Sequence, residues 1–229
     1  YRHFNVIDIN GKVFRTEPIP SATTPLWAEA VEQETYTWPP AEPDEPFFEG
    51  PIPFVRPPVE GSGEPFGSHH HCPAITWCDN GDLLAIWYTT EAALDGGEKS
   101  TDLTMLAARL RAGASEWDPS SEFFKAAQRN MHGDSLIRLS SGRLLHFNGM
   151  GKEGVEGFDE LAMLLRESDD NGVTWTAARP VSTGASYAFR HMPIAGGIET
   201  SKGWLIQLCD AVPGAEGPSA LHISRDGGA

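Results

Sequence analysis

The sequence lacks what several function classes require. No apolar run approaches the roughly 18 residues that a membrane-spanning helix needs. Basic residues are scarce, 17 Lys and Arg against 32 Asp and Glu, for a net charge of −15. A surface of that sign repels phosphate backbones and anionic lipid, so neither nucleic acid nor membrane is expected as a partner. Cysteine is nearly absent, with only Cys72, Cys78 and Cys209 and no Cys-x-x-Cys. If Cys72 and Cys78 share one strand they stand about 20 Å apart, beyond disulfide reach. No disulfide framework is expected, and cysteine usage leaves the compartment open. Helical periodicity is weak throughout. The glycine-rich runs GMGKEGVEG and PGAEG lack the strand-to-helix setting of a phosphate loop and read as surface loops.

Turn signals and short β-rich runs are what the sequence does have. Residues 4–17, FNVIDINGKVFRTE, form a hairpin pattern around Asn10-Gly11. Residues 18–66 are dominated by proline and acidic residues, a composition that precludes central strands and helices. Trp27, Trp38, Phe47, Phe48 and Phe54 favour burial, so this stretch is expected to wrap a surface; a flexible linker is the alternative. The domain expectation is therefore a hairpin and wrapping segment over 1–66 and a repeat-built β domain over 67–229. Within the latter, TMLAARL (104–110) reads as a strand on repeat grounds.

The repeat decides the fold class. HCPAITWCDNGDLLAIWYT begins at His71, HGDSLIRLSSGRLLHFNGM at His132 and HMPIAGGIETSKGWLIQLCD at His191. The turn glycines Gly81, Gly142 and Gly203 are spaced 61 and 61, and the histidines 61 and 59. An apolar pair follows each turn: Leu83-Leu84, Leu144-Leu145 and Leu205-Ile206. A second pattern interleaves. SDDNGVTW carries Ser168, Asp170, Gly172, Thr174 and Trp175; SRDGGA carries Ser224, Asp226 and Gly228; a degenerate form ends at Trp117. Its physics is a tight inter-strand turn: Asp and Ser bond turn amides, Gly takes positive φ, and Trp covers the neighbouring sheet. Units of about sixty residues with a turn in each half describe the four-stranded blades of an all-β propeller.

The motif Ser-x-Asp-x-Gly-x-Thr-Trp resembles the Asp-box of the sialidase superfamily, over about residues 67–229. The resemblance implies a sialidase-like β-propeller whose Asp-boxes are structural, away from the site. Propellers of this kind commonly have six or seven blades. About three are counted here, so an incomplete propeller is expected. It further implies a carbohydrate-active enzyme that cleaves glycosidic linkages in an acidic glycan containing sialic or uronic acid. Sialidases grip the substrate carboxylate with three arginines and use a Tyr-Glu pair and an Asp. Pro73 matches the proline of their Arg-Ile-Pro motif, but the arginine is missing, and no Tyr-Glu pair can be assigned. Polysaccharide lyases on similar propellers use His, Tyr and Arg to abstract a proton beside a uronate carboxylate. Hydrolysis and β-elimination therefore both stay open. A non-catalytic module that binds glycan or protein is the alternative. The substrate class leans towards a secreted or periplasmic location, with the cytoplasm left open.

Propeller sites lie at one end of the central channel, built from starts of inner strands. In-phase His71, His132 and His191 would then converge. The candidate catalytic residues are His71, His132, Tyr187, Arg190 and His191. A neutral imidazole suits a general base, and Arg190 would hold a carboxylate by paired hydrogen bonds. Arg129, Asp134 and His70 are the substrate-binding candidates; His69 and His70 have no counterpart in the other repeats and read as entering-loop residues. Glu91, Asp95 and Glu160 read mainly as solvated acids, with a glycosidase carboxylate as the alternative. Three histidines plus water is a catalytic zinc arrangement, and the spacing neither supports nor excludes it. No metal and no cofactor are expected.

Overall fold

The computed structural model describes residues 5–7, 13–15, 24–40, 50–91, 97–158, 161–181, 191–211 and 219–228. The strands are β1 (Asn5–Ile7), β2 (Val13–Arg15), β3 (His69–Trp77), β4 (Leu83–Thr90), β5 (Thr104–Leu110), β6 (Ser121–Phe124), β7 (Asp134–Arg138), β8 (Leu144–Met150), β9 (Ala162–Ser168), β10 (Arg179–Pro180), β11 (His191–Glu199), β12 (Leu205–Ala211) and β13 (Ala220–Ser224). Two short 3-10 turns, Leu26–Ala28 and Gly97–Lys99, are the only helical elements among the described residues. β1 and β2 pair antiparallel with Ile7 opposite Val13; the turn expected at Asn10-Gly11 lies outside the described residues. Three antiparallel sheets follow in chain order: β3-β4-β5-β6, β7-β8-β9-β10 and β11-β12-β13. Their first strands, β3, β7 and β11, are mutual neighbours, so the sheets radiate from a common side.

The spacing of 61 has a structural cause. Gly81, Gly142 and Gly203 adopt φ of +98°, +88° and +76°, a region a side chain disfavours. Their amides donate to Cys78, Leu139 and Thr200 carbonyls at 3.0, 2.9 and 2.8 Å. The amides of Cys78, Leu139 and Thr200 donate in turn to the carbonyls of Asp82, Arg143 and Trp204, each at 2.8 Å. The same hairpin turn is thus built three times, and it sets Trp77, Arg138 and Glu199 opposite Leu83, Leu144 and Leu205.

β4 is buried on both faces. Leu84, Ile86 and Tyr88 pack with Leu103, Met105, Leu136 and Leu144 between the first two sheets. Ala85 and Trp87 pack with Leu106, Ala108 and Trp117 on the other face, under Phe54, Val55 and Phe66. Those last three come from the proline-rich stretch, whose described parts run without strands along this sheet. Trp27 is buried against Phe123 at 5.2 Å between ring centroids and donates to the Glu122 carbonyl at 3.1 Å. Trp38 remains half-exposed, and Phe47 and Phe48 lie outside the described residues. The third sheet packs Leu205 and Cys209 onto Ile137, Leu145 and Phe147 of the second.

The Ser168–Trp175 turn joins the second sheet to the first. Gly172 donates to Ser168 Oγ at 3.0 Å, Thr174 N–H to Asp170 Oδ1 at 2.9 Å, and Trp175 Nε1 to the Gly172 carbonyl at 3.1 Å. Trp175 then meets Phe123 edge-on at 5.3 Å. Ser224 Oγ reproduces the first of these bonds, accepting from Gly228 at 2.7 Å. The fully buried Arg109 completes the joint. It donates to Asp82 Oδ2 at 3.0 Å, to the Trp27 carbonyl at 2.7 Å and to the Asn171 carbonyl at 2.7 Å. Asp82 also accepts from Asn80 and from the Ala112 amide, so this buried pair has its hydrogen bonds met.

Candidate functional site

At the opposite end of β4 the sheet gathers a different set of side chains. His69 and His71 are two apart on β3, so they share a face; their rings lie 5.6 Å apart, each 5.9 Å from the Tyr88 ring. Glu98 reaches them from the turn Gly97–Lys99. Its Oε1 accepts from the Tyr88 hydroxyl at 2.6 Å and from His71 Nδ1 at 2.9 Å. His69 Nε2 lies 3.4 Å from the same oxygen, in an orientation that makes no hydrogen bond. Asn130 holds this turn in place, donating to the Glu98 and Ser100 carbonyls at 2.6 and 3.1 Å. Through its Oδ1, Asn130 also accepts from the His132 amide at 2.9 Å, which ties the approach to β7 to the Glu98 turn. The His132 ring stacks on Phe158 at 4.3 Å and stands 5.1 Å from Tyr88.

The electrostatics follow from this packing. The Tyr88 hydrogen bond, against the effect of burial and with help from His71, His132 and His69, draws the Glu98 carboxyl down to about 2. Glu98 is therefore ionised at neutral pH. Burial, then the bond to Glu98, pushes the Tyr88 phenol up, so it stays protonated. Burial lowers His132 despite the nearby Glu98. Asp134 is almost fully buried, and neither carboxylate oxygen has a hydrogen-bond partner; burial raises it well above the usual carboxylate range. Burial, then Asp134 and Glu98, pushes the Cys72 thiol up to about 12, which leaves it unreactive.

The sequence candidates distribute unevenly over this site. His71, His132 and Asp134 are at it. His70 is not: it points to the other face of β3, where it accepts from Trp87 Nε1 at 3.2 Å and packs on Phe66 at 4.4 Å. Arg129 donates to the Gly151 carbonyl at 3.0 Å and pairs with Glu153 at 3.3 Å. His191 begins β11, with only its backbone described; Tyr187, Arg190, Asp95 and Glu160 lie outside the described residues. Glu91 is exposed.

Register explains the choice of histidine. His70 pairs with Thr89 and His191 with Ala211, partners that are two repeats of 61 apart. The strand ladder therefore equates His191 with His70, not with His71 as the spacing implied. Two bulges set this alignment: β3 gains one residue on β4 between His71 and Ala74, where Cys72 takes φ of +50°, and β11 gains two on β12 between Pro193 and Gly197. Tyr88, Glu98 and His69 are the members that sequence reasoning missed. Glu98 follows no repeat, and Tyr88 aligns with Gly149 and Asp210 at the repeat spacing, so neither leaves a periodic signal.

No family model matches the sequence, and no curated protein matches it. Solved structures do match in shape. A Hadza microbial sialidase, Hz136, superimposes with a TM-score of 0.54 at 14% identity, over 71% of this chain and 36% of that one. The intramolecular trans-sialidase from Ruminococcus gnavus gives 0.54 at 12% identity, over 73% and 60%. Zg3597, a family 117 glycoside hydrolase from Zobellia galactanivorans, gives 0.55 at 10% identity, over 78% and 58%. The fold is a sialidase-like β-propeller. The three radial sheets are its blades, and the chain spans between about a third and three-fifths of these structures' lengths. In these terms, the His71–Glu98 cluster sits where the first blade meets the innermost strand of the second.

Proposed function

We propose that this chain carries the site of an enzyme that cleaves glycosidic linkages in an acidic glycan, one bearing sialic or uronic acid. The observation that supports it is the His71–Glu98 pair, whose side chains remain 58% and 38% exposed on a sialidase-like propeller. Ionised Glu98 accepts the Nδ1 proton of His71. With Nδ1 engaged by Glu98, His71 has Nε2 left for substrate, the arrangement of a general base oriented by a carboxylate. Such a base takes a proton from water in hydrolysis, or from the carbon beside a uronate carboxylate in β-elimination. In this reading Asp134, buried near Cys72 and Tyr88 and raised by that burial, supports the site from beneath. Arg190 grips the substrate carboxylate, with Tyr187, His191 and Arg129 assisting and His132 backing the base. The sequence resemblance is the support for that second set.

The test is incubation with uronate polysaccharides and, separately, with a fluorogenic sialoside. Elimination yields the absorbance of an unsaturated uronate, and hydrolysis yields free sialic acid. Either product, lost in His71→Ala, is the expected result. A module that binds without turnover is the second reading. It draws on the sialidase signature that the sequence lacks, the arginine before Pro73 and an assignable Tyr-Glu pair. Glycan binding with no product from either substrate class would favour it.

A further inference from the structure

We propose that His69, His71 and Glu98 form a binding site for one divalent transition-metal ion of the zinc class. Their donor atoms, His69 Nε2, His71 Nδ1 and a Glu98 carboxylate oxygen, all lie within 4.8 Å of one another. Tetrahedral zinc, with bonds of about 2.0–2.2 Å, sets its ligand atoms roughly 3.3 Å apart. Glu98 Oε1 stands 2.9 Å from His71 Nδ1 and 3.4 Å from His69 Nε2, which brackets that spacing. Small side-chain rotations bring all three onto one ion.

Four features argue for a ligand set over a chance grouping. The two histidines are held by the β3–β4 ladder, His69 opposite Thr90 and His71 opposite Tyr88, so their separation is fixed by backbone pairing. Tyr88 donates to Glu98 at 2.6 Å, the kind of second hydrogen bond that orients a ligating carboxylate. His69 Nε2 is shut off from solvent and has no hydrogen-bond partner, so the ligand role gives it one. Finally, the exposed sides of His71 and Glu98 leave room for water or substrate at a fourth position, as three-ligand catalytic zinc sites do. Two imidazoles and one carboxylate suit zinc and its neighbours better than calcium or magnesium, which prefer all-oxygen shells.

This ligand set differs from the zinc triad considered from sequence, His71, His132 and His191. His132 is stacked on Phe158 and is not among the three donors. In the metal-free form His71 Nδ1 is hydrogen-bonded to Glu98; the ion takes the place of that shared proton, and the ring then carries its one N–H on Nε2. The inference shares two residues with the proposed general-base pair, but it stands on metal binding alone.

The experiment is equilibrium dialysis of the chelator-stripped protein against zinc chloride near neutral pH, with metal content read by mass spectrometry. One equivalent is expected. His69→Ala and Glu98→Gln should each weaken binding by at least about tenfold, while His70→Ala, on the opposite face of the same strand, should keep full affinity. Cobalt substitution should give the visible absorption of a four-coordinate ion, lost in His69→Ala. No bound equivalent, or equal affinity in His69→Ala and the parent protein, would overturn the proposal. Turnover on the same preparations separates the two claims. Metal bound without glycan cleavage upholds the metal site and counts against the function. Cleavage by protein that binds no metal does the opposite.

Discussion

The two ends of β4 bury polar groups in opposite ways. At the turn end, Arg109 and Asp82 are both buried, and each finds several partners within 3.0 Å. At the other end, Asp134 is as deeply buried with neither oxygen bonded, His132 Nδ1 is likewise unpartnered, and two hydrogen bonds and the unbonded His69 Nε2 crowd one oxygen of Glu98. A satisfied buried network holds a structure together. A partly satisfied one costs stability, and is kept where the groups have other work. The same sheet thus carries its structural joint at one end and its candidate site at the other.

The contrast can be broken at either end. Arg109→Met should produce the largest change. It leaves Asp82 buried without its cation and cuts the links to Trp27 and Asn171, so a loss of about 3–5 kcal/mol is expected in urea denaturation. The repeated turns come next. Gly142→Ala adds a Cβ against the Asp79 carboxylate at positive φ, whereas Gly203→Ala meets nothing within 4 Å. About 1 kcal/mol is expected at Gly203 from backbone strain alone, and up to about 3 kcal/mol at Gly142; equal losses would refute the packing difference. Asp134→Asn should do the reverse and stabilise. The folded-state pKa of Asp134 is raised, so its contribution is full below the unfolded value of about 3.9 and is lost as pH rises through the folded one. Denaturation midpoints of the parent protein should therefore fall with rising pH relative to those of the Asn variant. A flat difference across that range would contradict the burial argument. Arg143→Ala should change least. Its pairs with Asp169 and Glu167 are exposed, and less than about 1 kcal/mol is expected.

The fold was legible because it is periodic. Gly81, Gly142 and Gly203 announce one turn three times, and a turn that requires positive φ writes itself into the sequence. The site was legible only in part, for a matching reason. His71 and His132 were visible as repeat-edge histidines, but the bulge at Cys72 decides which β3 histidine faces Tyr88. A one-residue shift flips every side chain across a strand, and no spacing rule reports it. Glu98 comes from a connection between β4 and β5 whose residues recur nowhere else. His70 was preferred to His69 for lack of this register; the ladder turns His69 towards Glu98 and His70 towards Trp87.

The central claim is that the His71 end of the sheet does chemistry and the Arg109 end holds the fold. Its most direct test is the paired measurement of turnover and melting on His71→Ala. His71 is exposed, so stability should stay within about 0.5 kcal/mol of the parent protein, while cleavage of the acidic glycan should fall roughly 10²–10⁴-fold, as for loss of a general base. Unchanged turnover in a stably folded His71→Ala protein would contradict the account.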